Sequence, residues 1–288
     1  MSEQDYKKVN FEFEALDKCP FCEHGVMISN GSIQWLENDF WYVICPNCGL
    51  KYMNPRPTTK SYRDFYKDLF WQQKVRNLGF HQTGQLWQSS GYKSDWSNSE
   101  EWDPAEGREK FINKHRKKRV DSIVPVLQQH LTLDKDKKIL EVGCGFGVTL
   151  QEINKDYQCA VYAIEPSDES RKTIEEAGVV DLIGRYAEEL EEMAKQGEQK
   201  FDVIIFSHAL ENTNDPAKVM KFAKQCLTKD GIIYIQTPNL FIIDQMNPYH
   251  PYIFAKQSLS FLAKKLDMEY VQASKNIDQM LIAVYKKS

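Results

Sequence analysis

Four cysteines near the start of the chain have the type and spacing of metal ligands. They form two Cys-x-x-Cys pairs, which are Cys19, Cys22, Cys45 and Cys48. Two such pairs complete a tetrahedral thiolate shell, which suits Zn²⁺ and leaves no open position for catalysis. The alternatives are a redox dithiol or two structural disulfides. A redox pair needs a thioredoxin-like βαβ context, and none surrounds these cysteines, so we predict a structural zinc site.

The residues between the two pairs predict the element that carries the metal. Alternating apolar residues from Ile33 to Ile44 predict a short β-hairpin that turns at Asn38-Asp39. A segment this small needs a metal to stabilise it. We therefore place a zinc ribbon at residues 1–60.

A second group of residues that could bind a ligand lies in the stretch KKILEVGCGFGVTLQEI. A buried strand that contains Glu141 is followed by Gly143, Gly145 and Gly147, and a helix is predicted from Val148. A strand, a glycine loop and a helix in this order form the nucleotide-binding unit of α/β proteins. The dinucleotide fingerprint is not met, because its third glycine would fall on Val148.

This Glu-x-Gly-x-Gly-x-Gly loop resembles the first motif of class I S-adenosylmethionine (SAM)-dependent methyltransferases. The resemblance covers residues 110–288 and includes later motifs in the family's order. It implies an α/β fold with a Rossmann-like, seven-stranded, mostly parallel sheet and helices on both faces. It also implies SAM as cofactor, with Glu141 near the methionine amino group and the glycines admitting the cofactor. The alternative is a glycine-rich turn in another α/β fold.

The later motifs supply further candidate cofactor residues. The resemblance assigns Glu165, at the end of a second strand, to the ribose hydroxyls; a nicotinamide enzyme would also place an acid there. Ala187 and Glu188 match the segment that borders the adenine in the family. Tyr186 stands where the family usually has an acid and can instead pack near the base. Ser207, at the end of the fourth strand, completes the predicted cofactor set.

Two histidines are candidates for proton transfer. His208 follows the fourth strand at the carboxyl edge, where ligands bind in such sheets. His250 precedes a Phe-x-x-x-Ser-Leu run that resembles the family's substrate side. Histidine suits a general base near neutral pH, so we predict His208 and His250 as catalytic residues. The alternative for each is a loop histidine that shapes the pocket.

The rest of the chain connects these sites. Residues 61–107 mix aromatic and polar residues, which predicts either a partly helical lid over the active site or a flexible loop with anchoring aromatics. The methyltransferase domain is predicted at 108–288, and a basic helix at 108–120 opens it. The first ten residues lack the apolar core of a signal peptide, and no apolar run is long enough to span a bilayer. We therefore expect a cytoplasmic protein without a membrane partner.

The acceptor is the least determined part of the prediction. A Cys₄ ribbon followed by a class I domain resembles methyltransferases of sugar and surface-polysaccharide pathways, which implies a small-molecule acceptor such as a nucleotide-linked sugar. The alternative is an RNA methyltransferase whose ribbon binds nucleic acid, although a net charge of −4 weakly disfavours it. A non-catalytic scaffold is the third alternative. The sequence does not predict an oligomeric state.

Overall fold

A computed structural model describes residues 11–35, 37–68, 81–83, 120–197, 199–242, 246, 248, 250–275 and 278–287. Much of the predicted lid, at 69–80 and 84–107, and the predicted basic helix at 108–119 lie outside the described residues. Within the described ranges, no helix combines the length and apolarity needed to cross a bilayer.

The strands, in chain order, are β1 (Phe13–Glu14), β2 (Ile28–Trp35), β3 (Asn38–Ile44), β4 (Lys51–Met53), β5 (Arg56–Pro57), β6 (His81–Thr83), β7 (Lys138–Val142), β8 (Ala160–Ile164), β9 (Asp181–Gly184), β10 (Phe201–Ser207), β11 (Leu227–Pro238), β12 (Tyr252–Ile253), β13 (Met268–Gln272) and β14 (Met280–Lys287). The helices are α1 (Thr59–Asp68), α2 (120–128), α3 (Val148–Tyr157), α4 (Asp168–Ala177), α5 (Leu190–Gln196), α6 (Pro216–Cys226) and α7 (Lys256–Lys265). Two short 3₁₀ helices are Ala187–Glu189 and Leu210–Asn212.

The main sheet has seven strands in the order β13-β14-β11-β10-β7-β8-β9. The pairs from β11 through β10, β7 and β8 to β9 are parallel. The last strand, β14, runs antiparallel to both β11 and β13. This is the predicted seven-stranded, mostly parallel α/β sheet, and it ends in the antiparallel pair of β13 and β14.

Alternate residues of the central strands pack into two different cores. Ile204 and Phe206 belong to one apolar cluster, whereas Val203 and Ile205 belong to the other. Successive side chains of a strand point to opposite faces, so both faces of the sheet are covered. A parallel strand buried in this way reads as a continuous apolar run, which is why β10 was evident from sequence.

The N-terminal module, residues 11–68, contains the predicted hairpin, but the predicted turn at Asn38-Asp39 is wrong. Trp35 pairs with Asn38, so the chain has already turned before Asn38. Glu37 takes a positive φ of 59° in that turn. Asn38 and Asp39 begin β3 instead, where they pair with Trp35 and Gln34.

A strand from the main domain completes the sheet of the N-terminal module. The order of this second sheet is β12-β4-β3-β2-β6. Tyr252 and Ile253 of β12 pair with Tyr52 and Lys51 of β4. The β12 segment, residues 250–255, is therefore held by backbone hydrogen bonds to the module.

Aromatic residues from α1 pack inside the module. Tyr62 and Phe65 are 3% and 1% exposed and share a cluster with Trp35 and Phe40. These two side chains anchor α1 to the module's sheet, and the Tyr62 hydroxyl also donates to the Pro248 carbonyl at 3.2 Å. A lid at 61–107 stays a prediction.

Candidate active site

The glycine loop between β7 and α3 requires glycine for two separate reasons. Gly143, Gly145 and Gly147 have φ values of 71°, 58° and 70°, in the left-handed region that favours glycine. A Cβ on Gly143 would lie 2.8 Å from the Cβ of Ala209. The loop thus passes directly against the residues that follow β10.

Glu165 fastens this loop to the end of β8. One carboxylate oxygen accepts a hydrogen bond from the Gly145 amide at 2.8 Å, and the other accepts one from the Ser167 amide at 2.9 Å. The side chain is 3% exposed. Burial raises the pKa of Glu165 to about 7, although the two amide hydrogen bonds act in the opposite direction. The structure places this predicted ribose ligand beside the glycine loop.

Glu141 lies on β7 between the two neighbouring parallel strands. It is fully buried and faces Ile205 of β10 and Ala163 of β8 in the strand register. Burial, and then the charge of Glu141, raise the pKa of Tyr234 on β11. A carboxylate is thus present at the centre of the sheet, as the prediction for the methionine amino group requires.

The segment from Gly184 to Glu189 leaves the sheet next to Glu165. The Glu165 amide donates to the Gly184 carbonyl at 3.3 Å. One Glu189 carboxylate oxygen accepts hydrogen bonds from the amides of Arg185 and Tyr186 at 3.1 and 2.9 Å. The predicted Ala187 and Glu188 are half-buried in the turn that follows.

His208 begins the loop that follows β10. It has a positive φ of 54°, and its amide donates to the Gln236 carbonyl at 2.9 Å. Its Nδ1 lies 3.5 Å from a carboxylate oxygen of the buried Glu211. The predicted Ser207 contacts the same Gln236, with its Oγ 3.5 Å from Oε1. The proximity of Glu211 to the His208 ring emerges only in the fold.

His250 is positioned by the N-terminal module. Its carbonyl accepts a hydrogen bond from the Tyr42 hydroxyl at 2.7 Å, and the Met53 amide donates to the Pro251 carbonyl at 2.8 Å. The ring is half-buried. Sequence alone did not show that this histidine depends on residues about two hundred positions earlier.

The loops that carry the two histidines are linked to each other. The Tyr252 hydroxyl donates to the Asn214 carbonyl at 2.8 Å. Arg56 of the module donates to both the Tyr252 hydroxyl and the Asn214 carbonyl. The module therefore ties the loop after β10 to the β12 segment.

The four predicted metal ligands come together in the fold. All four Sγ atoms lie within 4.8 Å of one another, with Cys19 to Cys48 at 3.6 Å and Cys22 to Cys45 at 3.4 Å. A tetrahedral zinc site with bonds of about 2.3 Å has sulfur–sulfur edges of about 3.8 Å. The cluster fits zinc.

The two cysteine turns have the same backbone geometry. Glu23 and Gly49, which follow each pair, donate their amides to the carbonyls of Cys19 and Cys45, both at 2.9 Å, and both have positive φ. A hydrogen bond between the Cys19 and Cys48 side chains lowers the pKa of Cys19 to about 5 and raises the pKa of Cys48. Thiolate is the form that binds metal, so a bound Zn²⁺ would have to supply the positive charge that stabilises the other thiolates.

The cysteine cluster packs into the core of the main domain. Cys19, Cys45 and Cys48 belong to the same apolar cluster as the sheet residue Phe206. Between them, Phe21 stacks on Phe254 of the β12 segment, with ring centroids 5.9 Å apart. The cysteine cluster and the β12 segment thus share one packed interface.

Comparison with known proteins agrees with the fold. Residues 112–272 match the family model described as "Methyltransferase domain", which is more than half of the chain. The chain belongs to this methyltransferase family. Membership supports SAM as the methyl donor.

Similar proteins include ubiquinone biosynthesis O-methyltransferases. The protein of that name from Actinobacillus pleuropneumoniae is 32% identical over 143 residues, which are 48% of this chain and 59% of the relative. The mitochondrial protein from Bos taurus is 31% identical over 107 residues, 35% of this chain and 29% of the relative. The chain thus spans about half, or less, of the length of these curated relatives.

A solved structure shares the fold. The crystal structure of magnesium protoporphyrin IX methyltransferase from Synechocystis, with bound SAH, superposes with a TM-score of 0.51 at 13% identity. The superposition covers 80% of this chain and 100% of the Synechocystis chain. At this identity the likeness concerns the fold alone.

Proposed function

We propose that the protein transfers a methyl group from SAM to a small-molecule acceptor. The observation that carries the proposal is the hydrogen bond from Gly145 to Glu165. It closes the glycine loop at the carboxyl edge of the parallel sheet, directly against the loop after β10. Ligands bind at this edge in open α/β sheets.

The positions of the predicted cofactor residues support this role. Glu165 would accept hydrogen bonds from the ribose hydroxyls, and Glu141 would face the methionine amino group. The glycine loop allows the backbone to approach the cofactor. The remaining proposed contacts are Gly143, Gly147, Ala187, Glu188 and Ser207.

We assign proton transfer to the histidines of the two linked loops. The methyl group of SAM is already activated, so the enzyme mainly has to bring it to the nucleophile. An oxygen or nitrogen nucleophile also needs a base. His208 has a buried carboxylate partner in Glu211, which orients the imidazole in the manner of a base and its orienting group. His250 would contact the acceptor or serve as the alternative base.

We propose that the four cysteines hold one structural Zn²⁺. The ion would take four thiolates and supply no reactive position. Its contribution would be to keep Phe21 and β4 in place against the β12 segment. Through that segment, the module would help to form the acceptor side of the site.

For the acceptor we propose a nucleotide-linked sugar or a surface-polysaccharide precursor. The support is the resemblance of the ribbon-plus-domain arrangement to that branch, together with the docking of the ribbon on the His250 segment. A phenolic hydroxyl is the second candidate, because the similar proteins are ubiquinone biosynthesis O-methyltransferases. RNA is the least favoured of the three, because the chain carries a net charge of −4 and RNA binding draws on basic surfaces.

Methyl-labelled SAM tests the proposal. The zinc-loaded protein is incubated separately with a nucleotide-sugar extract, a panel of catechols and phenols, and total RNA. Label in the nucleotide-sugar extract supports the sugar acceptor. Label in the catechols and phenols shows that the acceptor is a phenol instead. Label in RNA overturns the small-molecule acceptor, and failure to bind SAM overturns the enzymatic assignment as a whole.

A further inference from the structure

The N-terminal module reaches the cofactor side of the main domain through α1. Thr59, the first residue of this helix, accepts a hydrogen bond from the Asn214 side chain. Arg56 contacts the Asn214 carbonyl just before it. These contacts fix the start of α1 on the loop after β10, so the helix extends across the domain from a defined anchor.

Arg63 is the α1 residue that meets the segment after β9. Its guanidinium carbon lies 4.6 Å from the centroid of the Tyr186 ring. A terminal nitrogen lies 3.7 Å from a Glu188 carboxylate oxygen. Guanidinium groups stack on aromatic faces and pair with carboxylates, whereas lysine does only the second well.

The segment that Arg63 contacts lies beside the proposed ribose ligand. Tyr186 and Glu188 follow Gly184, whose carbonyl accepts a hydrogen bond from the Glu165 amide. The Arg63 Nε is buried and has no hydrogen-bond partner among the described residues. A buried donor without a partner is costly, and the ring nitrogens of adenine are acceptors.

From this geometry we infer that Arg63 forms one wall of the adenosine site, so that the zinc-binding module takes part in cofactor recognition as well as in acceptor binding. The inference rests on the proposed function. Arg63 would hold Tyr186 and Glu188 in position and would add its own Nε donor. In that case the adenosine site is incomplete without the N-terminal module.

Calorimetric titration with two ligands tests the inference. SAM and 5′-methylthioadenosine share the adenosine moiety, but only SAM has the amino acid. Arg63→Ala should weaken both ligands to the same degree, by about tenfold. KM for SAM should rise while kcat changes less. Arg63→Lys should give an intermediate loss, because it keeps the charge near Glu188 and loses the stacking.

Controls separate this role from a structural one. Lys60 lies on the same helix, is exposed and pairs only with Asp64 at 3.1 Å among the contacts described, so Lys60→Ala should bind both ligands as the wild type does. Tyr186→Leu removes the stacking partner from the other side and should reproduce the loss without altering α1. Zinc content and melting temperature show whether each variant is folded.

Three outcomes would overturn the inference. The first is that Arg63→Ala binds both ligands with wild-type affinity but has a changed KM for the acceptor. That result would assign Arg63 to the acceptor site instead. The second is a loss in Lys60→Ala equal to that in Arg63→Ala. The third is loss of SAM binding without loss of 5′-methylthioadenosine binding. If the wild-type protein binds neither ligand, the proposed function itself is wrong.

Discussion

The Glu165 carboxylate accepts a 2.8 Å hydrogen bond from the amide of Gly145. The bond connects the end of the second parallel strand to the centre of the glycine loop that follows the first. The Glu165 side chain is buried, and burial raises the pKa of the carboxyl to about 7. The group that would bind the cofactor's ribose therefore titrates near neutral pH.

The first prediction concerns the pH dependence of stability without cofactor. Glu165 has a pKa of about 7 in the folded protein against 4.5 for the ordinary group, so between these values the folded chain keeps a proton that the unfolded chain has lost. The free energy of unfolding should fall as pH rises through this window, by about 3 kcal/mol at most. Urea unfolding at about pH 5 and pH 8 measures the change.

Glu165→Gln provides the control for this prediction. The amide cannot titrate, so the difference between wild type and variant isolates the contribution of this carboxyl. SAM affinity of the wild type should also rise as the carboxyl ionises through about pH 7, and that of the variant should not. An equal pH slope in both proteins would contradict the assignment.

The second prediction concerns the two histidines. His208→Ala and His250→Ala should each lower kcat, by roughly 10²- to 10⁴-fold for the residue that acts as the base, with little change in the dissociation constant of SAM. Glu211→Gln should lower kcat less, because it disturbs only the orientation of His208. Single-turnover kinetics with the identified acceptor measure these effects.

Unchanged turnover in both histidine variants would show that neither residue transfers a proton. Replacement of His130, a partly buried histidine of the loop after α2, provides a comparison. His130→Ala should leave kcat unchanged.

The third prediction concerns the cysteine cluster. The purified wild type should contain one zinc ion per chain, and Cys48→Ser should lose most of it. Because the cluster shares a core with Phe254, loss of the ion should also lower the melting temperature and raise KM for the acceptor. Elemental analysis and thermal unfolding provide the measurements.

Cys159→Ser is the matched control for zinc binding. Cys159 is equally buried, but it belongs to the core on the other face of the sheet. This variant should retain one zinc ion even if its stability falls. Loss of zinc from both variants, or from neither, would contradict the Cys₄ assignment.

The fourth prediction concerns the close approach at Gly143. Gly143→Ala would place its Cβ 2.8 Å from the Cβ of Ala209, in addition to the cost of about 1–2 kcal/mol for a left-handed alanine. Gly178 has a similar φ of 65°, and a Cβ added there would have nothing within 4 Å. Gly178→Ala should therefore incur only the backbone cost, and Gly143→Ala should be clearly less stable and bind SAM more weakly.

Chemical denaturation of both alanine variants measures this difference. Equal destabilisation would mean that the residues after β10 move away easily. The loop contact would then not define the site.

Several features followed from local sequence alone. The parallel strand β10, the glycine loop and the two cysteine turns each depend on residues within a few positions of one another. Burial of a strand on both faces produces a continuous apolar run, and positive φ selects glycine at the turns. The seven-stranded sheet and the cluster of four cysteines were therefore predicted from the sequence, whereas the cofactor contacts stay predictions.

The hairpin turn was predicted two residues too late. Asn38-Asp39 has turn-forming chemistry, but the register between Trp35 and Asn38 is set by the packing of the apolar face. A pattern of turn residues contains no information about that packing.

The relationships that assemble the site were decided by the tertiary structure. Arg63 meets Tyr186, Tyr42 holds the backbone of His250, and β4 pairs with β12 across about two hundred residues. Such contacts depend on where α1 and the ribbon dock. The ribbon docks through the core around Phe21 and Phe254, and α1 through the contact of Thr59 with Asn214. The sequence by itself thus determined the class of chemistry and its local elements. Only the fold decided that the N-terminal module lies against both proposed substrate sides, because that follows from long-range packing that no local pattern encodes.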